Sequence, residues 1–175
     1  MSDRQLHLTP NFNHQALADV EALGLPQPDR FVINHSAALD IFGVLDRRYS
    51  DIDAAASLAN IRFLREHHAF SIERREVGSN KDGEPITILV SKDKDEKFDV
   101  HRWDFSVDLY NKTGIGRVAL NSVISYSVQD PRTGIWVARP DYVLATKVGT
   151  NRENDERDLH HAAQLYGLKP LDLAV

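Results

Sequence analysis

The segment over residues 31–56, FVINHSAALDIFGVLDRRYSDIDAAA, constrains the fold of this chain more than any other part. Its pattern predicts an apolar strand, a small-residue turn, a short helix, a basic loop and a second strand. Asp51 and Asp53 are two residues apart on that second strand, so both project from one face while Ile52 points into the core. Two adjacent carboxylates are costly unless a cation lies between them. The segment therefore predicts a site for a hard divalent ion such as Mg2+ and metal-assisted phosphoryl chemistry.

Composition limits the other classes of function. The chain has 175 residues, 42% of them hydrophobic, which fits one compact domain with a proper core. Its net charge of -5 gives no global basic field of the kind that marks a nucleic-acid binder. The absence of cysteine excludes disulfides, thiol nucleophiles and cysteine-based zinc sites. The first residues lack the apolar core of a signal peptide and no apolar run reaches membrane-spanning length, so we expect a cytoplasmic protein without membrane association.

The order of the predicted elements indicates a mixed α/β fold, in which helices pack on one mixed β-sheet. We expect a single domain over residues 1–175, with its core at about 30–138 and a C-terminal helical part at about 139–167. The predicted helices cover residues 13–23, 36–42 and 57–68, a segment that starts at Pro140, and a last segment that ends at Gly167. The predicted strands cover residues 30–34, 50–56, 70–77, 86–90, 97–105, 118–128 and 134–138.

A third carboxylate would strengthen the metal hypothesis, because phosphoryl-transfer sites commonly need more than two. Asp99 lies in KFDVHRW, where apolar neighbours on both sides leave it on the polar face of a strand. Asp104 is a rival for this position, and Asp108 is a poorer one. The alternative is that Asp99 only pairs with Lys97 or Arg102 on an exposed face of the sheet.

The turn Asn34-His35-Ser36 precedes the short helix and is a candidate anion site. Free backbone N–H groups and the helix dipole favour an anion at such a position. A triphosphate held there would have its metal-bound end near Asp51 and Asp53. The alternative is that Ser36 simply caps the helix, which is compatible with the first interpretation.

The sequence INHSAALDIFGVLDRRYSDIDAAAS resembles the signature of the polymerase-beta-like nucleotidyltransferase superfamily. That signature consists of a glycine-containing turn that opens a short helix, then a basic segment and a D-x-D strand. The chain is more specifically similar to the minimal bacterial nucleotidyltransferases, which include abortive-infection toxins and antibiotic-modifying enzymes. The later stretch RPDYVLATKVGTNRENDERDLHHAAQLYG also resembles them, with a proline-led helix that ends in a lysine and an Arg/Lys-Asp pair that starts the next helix. The resemblance covers about residues 31–167.

The resemblance implies a nucleotidyltransferase-like domain that transfers a nucleoside monophosphate from an NTP, ATP among them, to a hydroxyl acceptor in RNA, protein or a small molecule. By resemblance, Asp51, Asp53 and Asp99 would bind Mg2+, and Asp99 would also act as a base. Ser36 would contact the phosphates of the nucleotide. A toxin role with an antitoxin as partner would fit these relatives.

The C-terminal part would supply positive charge by the same resemblance. Lys147, with Arg152 or Arg157 nearby, would neutralise the triphosphate, and Asp158 would orient one of these cations. The physical logic agrees, because positioning and cations dominate the stabilisation of phosphoryl-transfer transition states.

One departure from the family pattern concerns His35, which stands where the family has its first glycine. Glycine adopts positive φ without strain and lets the backbone approach a phosphate closely. The Cβ of His35 would block this approach, or its ring would donate a hydrogen bond to the phosphate. A catalytically degenerate protein that binds a nucleotide or a partner on the same fold is therefore the alternative function.

Overall fold

The computed structural model describes residues 8–79, 85–102, 107–111, 114–118 and 120–172. These residues form a seven-stranded mixed sheet with helices packed around it, and a separate two-stranded sheet. The predicted mixed α/β fold is therefore confirmed. The strands are β1 (Phe31–Ile33), β2 (Ile52–Ala56), β3 (Ser71–Ser79), β4 (Pro85–Lys92), β5 (Phe98–Arg102), β6 (Val107–Asn111), β7 (Gly114–Val118), β8 (Ser127–Gln129) and β9 (Trp136–Ala138). The helices are α1 (Gln15–Glu21), α2 (His35–Ile41), α3 (Leu58–His67), α4 (Leu120–Ser125), α5 (Pro140–Lys147) and α6 (Glu153–Tyr166).

The main sheet has the strand order β3-β4-β5-β2-β1-β9-β8, and β6 pairs with β7 in the second sheet. At its centre, β2 runs antiparallel to β1 and parallel to β5, while β1 runs parallel to β9. Every residue of β1 and every residue of β2 except Asp53 is buried. Continuous apolar strands of this kind are typical of the middle of a sheet that is covered on both faces. Asp53 therefore stands out as the polar position of an otherwise apolar centre.

The helix boundaries follow local signals in the sequence. Ser57 is the N-cap of α3, and its hydroxyl accepts a hydrogen bond from the backbone N–H of Asn60 at 3.4 Å. Pro140 is the first residue of α5, where its missing N–H costs nothing. Gly167 ends α6 in the left-handed conformation with φ +61°, which glycine adopts without strain. The predicted helices at these places are confirmed, with ends that differ by a few residues.

The strand predicted over residues 118–128 is wrong for most of its length. The structure has α4 there, followed by the short strand β8. Leu120 and Val123 are both buried and lie three residues apart, which is the spacing of one helix face. Only β8 with β9 forms the predicted hairpin around the turn at Pro131. The β6–β7 hairpin was not predicted from the sequence.

Two further predictions change in detail. The strand predicted over residues 50–56 begins at Ile52, so Asp51 lies just before β2 and not within it. The strand predicted over residues 97–105 is β5, and its last predicted residues lie outside the described part of the chain. The predicted turn at Asp82 and Gly83, between β3 and β4, also lies outside the described residues.

Within the described ranges, none of the helices combines the length and the apolar composition that crossing a membrane requires.

Candidate functional site

Three aspartates from different parts of the chain converge at the centre of the main sheet. Asp51 directly precedes β2, Asp53 lies within β2, and Asp99 lies on β5 opposite Asp53 in the parallel register. One carboxylate oxygen from each residue can be chosen so that all three oxygens lie within 4.8 Å of one another. Asp51 and Asp53 are half-buried and Asp99 is buried. We call these residues the aspartate triad.

The aspartate triad fits a hard divalent cation. All three donors are carboxylate oxygens, the ligands that Mg2+ and Ca2+ prefer. Two oxygens on opposite sides of one ion are about 4.2 Å apart around Mg2+ and about 4.6 to 5.2 Å apart around Ca2+, as twice the ligand distance. The limit of 4.8 Å in this cluster is close to both values. The donor set therefore suits this class of ion and does not by itself select Mg2+.

Two other aspartates, Asp104 and Asp108, were candidates for the third position. Asp108 lies on β6, in the separate two-stranded sheet, and Asp104 lies outside the described residues. The cation close to Asp99 is Lys92, whose Nζ is 3.9 Å from Oδ2 of Asp99. Lys97, the partner considered from the sequence, is instead 2.9 Å from Asp19. Asp99 is buried and does not lie on an exposed face of the sheet, while the side chain of Arg102, the other partner considered, lies outside the described part of the chain.

The turn before α2 lies next to the aspartate triad. The backbone N–H of Asn34 donates a hydrogen bond to the carbonyl oxygen of Asp53 at 2.9 Å. Asn34 is also the N-cap of α2, since its Oδ1 accepts from the N–H of His35 at 2.8 Å. The alternative in which Ser36 caps this helix is therefore wrong. The Oγ of Ser36 instead accepts a hydrogen bond from Nη2 of Arg47 at 2.9 Å.

His35 adopts a backbone conformation that favours glycine. Its φ is +50°, in the left-handed region. An L-residue there costs roughly 1–2 kcal/mol more than in the right-handed region. This is the position where the nucleotidyltransferase pattern has glycine. A residue with a Cβ therefore holds a conformation that glycine adopts without strain.

A second cluster joins the basic loop to the C-terminal helices. Arg47 binds Asp158 through two hydrogen bonds, from Nε to Oδ1 at 2.9 Å and from Nη2 to Oδ2 at 2.8 Å. Lys147 lies 2.7 Å from Oδ1 of Asp155 and 3.2 Å from Oδ2 of Asp158. The hydroxyl of Thr150 donates to the other oxygen of Asp155 at 2.7 Å. We call this group the Arg47–Lys147 network.

The network contains three of the residues expected from the sequence, Ser36, Lys147 and Asp158, and adds others. The sequence signal for Arg47 was the Arg-Arg pair just before the acidic strand, but spacing alone did not choose between Arg47 and Arg48. Arg47 and Asp158 are 111 residues apart in the chain, so no local pattern predicts that they pair.

The two remaining cations expected near the phosphates, Arg152 and Arg157, are exposed. The guanidinium of Arg157 binds Asp46, with Nη2 3.1 Å from Oδ2, and Arg157 is exposed. His161 lies 3.7 Å from the same oxygen. Arg152 is exposed and occupies the N-cap position of α6.

The network shifts the pKa of two members. Burial alone would raise the pKa of Asp155, but hydrogen bonds from Lys147 and Thr150 outweigh burial and hold it below its usual range. The hydrogen bonds to Asp158 raise the pKa of Arg47, against the opposing effect of burial. Both shifts favour the charged forms, so the network is a set of ion pairs at neutral pH.

No family model matches this chain, and neither a curated protein nor a solved structure was found to be similar to it. The resemblance to nucleotidyltransferases therefore depends on the motifs of the sequence.

Asp155→Asn should lower the free energy of unfolding at pH 7 by about 1.5–3 kcal/mol, the usual worth of a hydrogen bond to a charged group. Because the pKa of Asp155 is lowered in the folded state, its contribution is present at neutral pH and lost as the pH falls. The difference between the variant and the wild type should therefore shrink below about pH 4. Chemical denaturation at pH 7, 5, 4 and 3 measures this difference. Asp95→Asn, at an exposed carboxylate, is the control, and a difference for Asp155→Asn that is independent of pH would contradict the prediction.

His35→Gly should keep or increase the free energy of unfolding, by up to about 1 kcal/mol, because glycine removes the strain of a positive φ. Ala69 has φ +53° outside this site, so Ala69→Gly is a matched control with the same expected sign. Equilibrium denaturation of both variants measures the effect. A clear loss of stability in His35→Gly alone would show that contacts of the histidine ring outweigh the backbone strain.

Proposed function

We propose that this chain is a nucleotidyltransferase that depends on a divalent cation. It moves a nucleoside monophosphate from an NTP to a hydroxyl acceptor in RNA, protein or a small molecule and releases pyrophosphate. The observation that carries the proposal is the convergence of Asp51, Asp53 and Asp99 from β2 and β5, next to the turn that precedes α2. The three carboxylates provide an all-oxygen donor set for Mg2+ and the turn lies beside it.

The chemistry follows from the residues of the aspartate triad. A bound Mg2+ supplies charge neutralisation at the phosphates and lowers the cost of the charge that develops in transfer. Asp51 and Asp53 would hold the ion. Asp99 accepts the proton of the acceptor hydroxyl. The acceptor oxygen forms a bond to the α-phosphorus as the bond from that phosphorus to pyrophosphate breaks.

Arg47 is the cation that we assign to the phosphates. Its Nη2 donates a hydrogen bond to Oγ of Ser36 in the first turn of α2, and its side chain is 16% exposed. The two hydrogen bonds to Asp158 fix the plane of the guanidinium. Nη1 also donates to the carbonyl oxygen of Arg48 at 3.4 Å, which leaves one N–H of this guanidinium for a phosphate oxygen.

Lys147 has a positioning role in this proposal. Its side chain is 5% exposed and its ammonium group pairs with the carboxylates of Asp155 and Asp158, so its charge is already balanced within the fold. It holds Asp158 in place, and Asp158 in turn orients Arg47. This differs from the expectation that Lys147 itself neutralises the triphosphate.

The cellular setting follows from the substrate. A protein that consumes NTP acts where NTP is abundant, so we place it in the cytoplasm. A toxin role with an antitoxin partner rests on the resemblance alone.

A second candidate is a catalytically degenerate protein that binds a nucleotide on the same fold. The observation that favours it is the backbone of His35, which has φ +50° and carries a Cβ at the place where the family pattern has glycine. Nucleotide binding that requires a divalent ion, without transfer to any acceptor, would identify this case.

Replacement of Asp51 or Asp53 by Asn should lower transfer by roughly a hundredfold or more, because a ligand of a catalytic metal supports several kcal/mol of transition-state stabilisation. The assay incubates the purified chain with Mg2+, each of the four α-labelled NTPs, and cellular RNA, protein or a panel of small hydroxyl compounds. Label transfer to the acceptor is measured.

Asp95→Asn removes a carboxylate of the exposed turn before β5 and is the matched control, with transfer expected at the wild-type level. Absence of label transfer by the wild type from all four NTPs would contradict the enzymatic proposal. Transfer that persists at the wild-type level in Asp53→Asn would contradict the assignment of the site.

A further inference from the structure

Lys92 extends the aspartate triad across the sheet. In the register of the three strands, Asp99 on β5 lies opposite Asp53 on β2 and opposite Lys92 on β4. Residues directly opposite each other in a sheet project from the same face. The three side chains therefore form one row, in the order Asp53, Asp99 and Lys92. The Nζ of Lys92 is 3.9 Å from Oδ2 of Asp99.

We propose that Lys92 is a built-in counter-ion that occupies the acidic row when no metal is bound and leaves Asp99 when a divalent ion binds. In this role Lys92 is a positioning residue that sets the affinity of the site for its metal. The inference rests on the proposed function in one respect, namely that the aspartate triad holds a divalent ion.

Competition follows from charge and distance. The ammonium group of Lys92 lies 3.9 Å from Oδ2 of Asp99, and an ion held by the triad would bring further positive charge to the same carboxylate. Two positive charges beside one carboxylate repel each other, and this repulsion weakens the binding of the ion as long as the ammonium group stays in place. The ammonium group of Lys92 and the divalent ion are therefore alternatives at Asp99.

The surroundings of Lys92 allow it to leave. Its side chain is 27% exposed, whereas that of Lys147 is 5% exposed. Lys147 lies 2.7 Å and 3.2 Å from its two carboxylates, but the distance of Lys92 to Asp99 is close to the limit for an ion pair. A lysine ammonium is also a compact charge on a flexible stem, which can move to water without breaking a bidentate contact. Lys147 is therefore held in place by its two carboxylates, whereas Lys92 can move.

The test measures binding of Mn2+ without nucleotide, by electron paramagnetic resonance of the free ion, in the wild type and in Lys92→Gln. Mn2+ is the probe because it is a hard divalent ion with a signal of its own. Lys92→Gln should bind Mn2+ about tenfold more tightly at low ionic strength, because the ion no longer has to displace the ammonium group of Lys92 from Asp99; a tenfold change corresponds to about 1.4 kcal/mol.

Two variants serve as controls. Lys92→Arg keeps the charge and should bind Mn2+ within about threefold of the wild type, which corresponds to less than about 1 kcal/mol. Lys97→Gln removes the same charge from a lysine that pairs with Asp19 at 2.9 Å, and should leave the affinity unchanged. A role of Lys92 that is only structural would change the stability of the fold without changing the affinity for Mn2+.

The outcomes separate this inference from the proposed function. Equal Mn2+ affinity in the wild type and Lys92→Gln overturns the role of Lys92 and leaves the metal site standing. Binding by Lys92→Gln alone supports the role of Lys92. Absence of Mn2+ binding in both proteins overturns both proposals.

A measurement on the wild type does not depend on the folding of any variant. The rate of lysine acetylation by an amine-reactive reagent is followed by mass spectrometry with and without saturating Mg2+. Mg2+ should raise the rate at Lys92 severalfold, because an ammonium group that leaves Asp99 for solvent is more accessible to the reagent. Lys97 is the internal control, with an unchanged rate expected. An unchanged rate at Lys92 in saturating Mg2+ would overturn the inference.

Discussion

The parallel pairing of β2 with β5 is the constraint on which the candidate site depends. It places Asp53 directly opposite Asp99, and the start of β2 brings Asp51 beside them. Like charges directly opposite each other destabilise a sheet. The buried apolar residues of β1 and β2 stabilise the strands that hold this unfavourable group. A fold that keeps such a cost at its centre is typical of a functional site, and the ion pair with Lys92 offsets part of the cost.

The Arg47–Lys147 network makes the C-terminal helices part of the same site. Asp158 on α6 forms ion pairs with Arg47, from the loop before β2, and with Lys147, from α5. Its side chain is 1% exposed, and a buried charge of this kind is tolerated only when it is paired. Through Arg47 the network reaches Ser36 at the start of α2. The turn next to the aspartate triad is therefore held from two sides, by β2 through Asn34 and by α6 through Arg47.

Much of the local structure could be predicted because its signals are short-range. The apolar run of β1, the caps at Ser57 and Gly167, and the spacing of Asp51 and Asp53 each involve neighbouring residues. Alternation along one strand was enough to choose Asp99 as a candidate. These signals need no knowledge of the strand order.

The remaining features depend on long-range pairing. No local pattern states that β2 pairs with β5, that Lys92 faces Asp99, or that Arg47 binds Asp158, because these contacts join segments that are distant in the chain. The segment LNSVIS of α4 was misjudged because a short apolar run suits a buried strand and a buried helix equally well. The surface partner of Arg157 was equally hidden, since a long flexible side chain can reach several carboxylates.

The most direct measurement is a crystal structure of the chain soaked with Mn2+ and recorded for its anomalous signal. The account predicts one anomalous peak within about 2.5 Å of a carboxylate oxygen from each of Asp51, Asp53 and Asp99, the distance expected for a hard cation with oxygen ligands. A Mn2+-bound crystal with no peak at these three residues, or with its peaks at other carboxylates, would contradict the central claim.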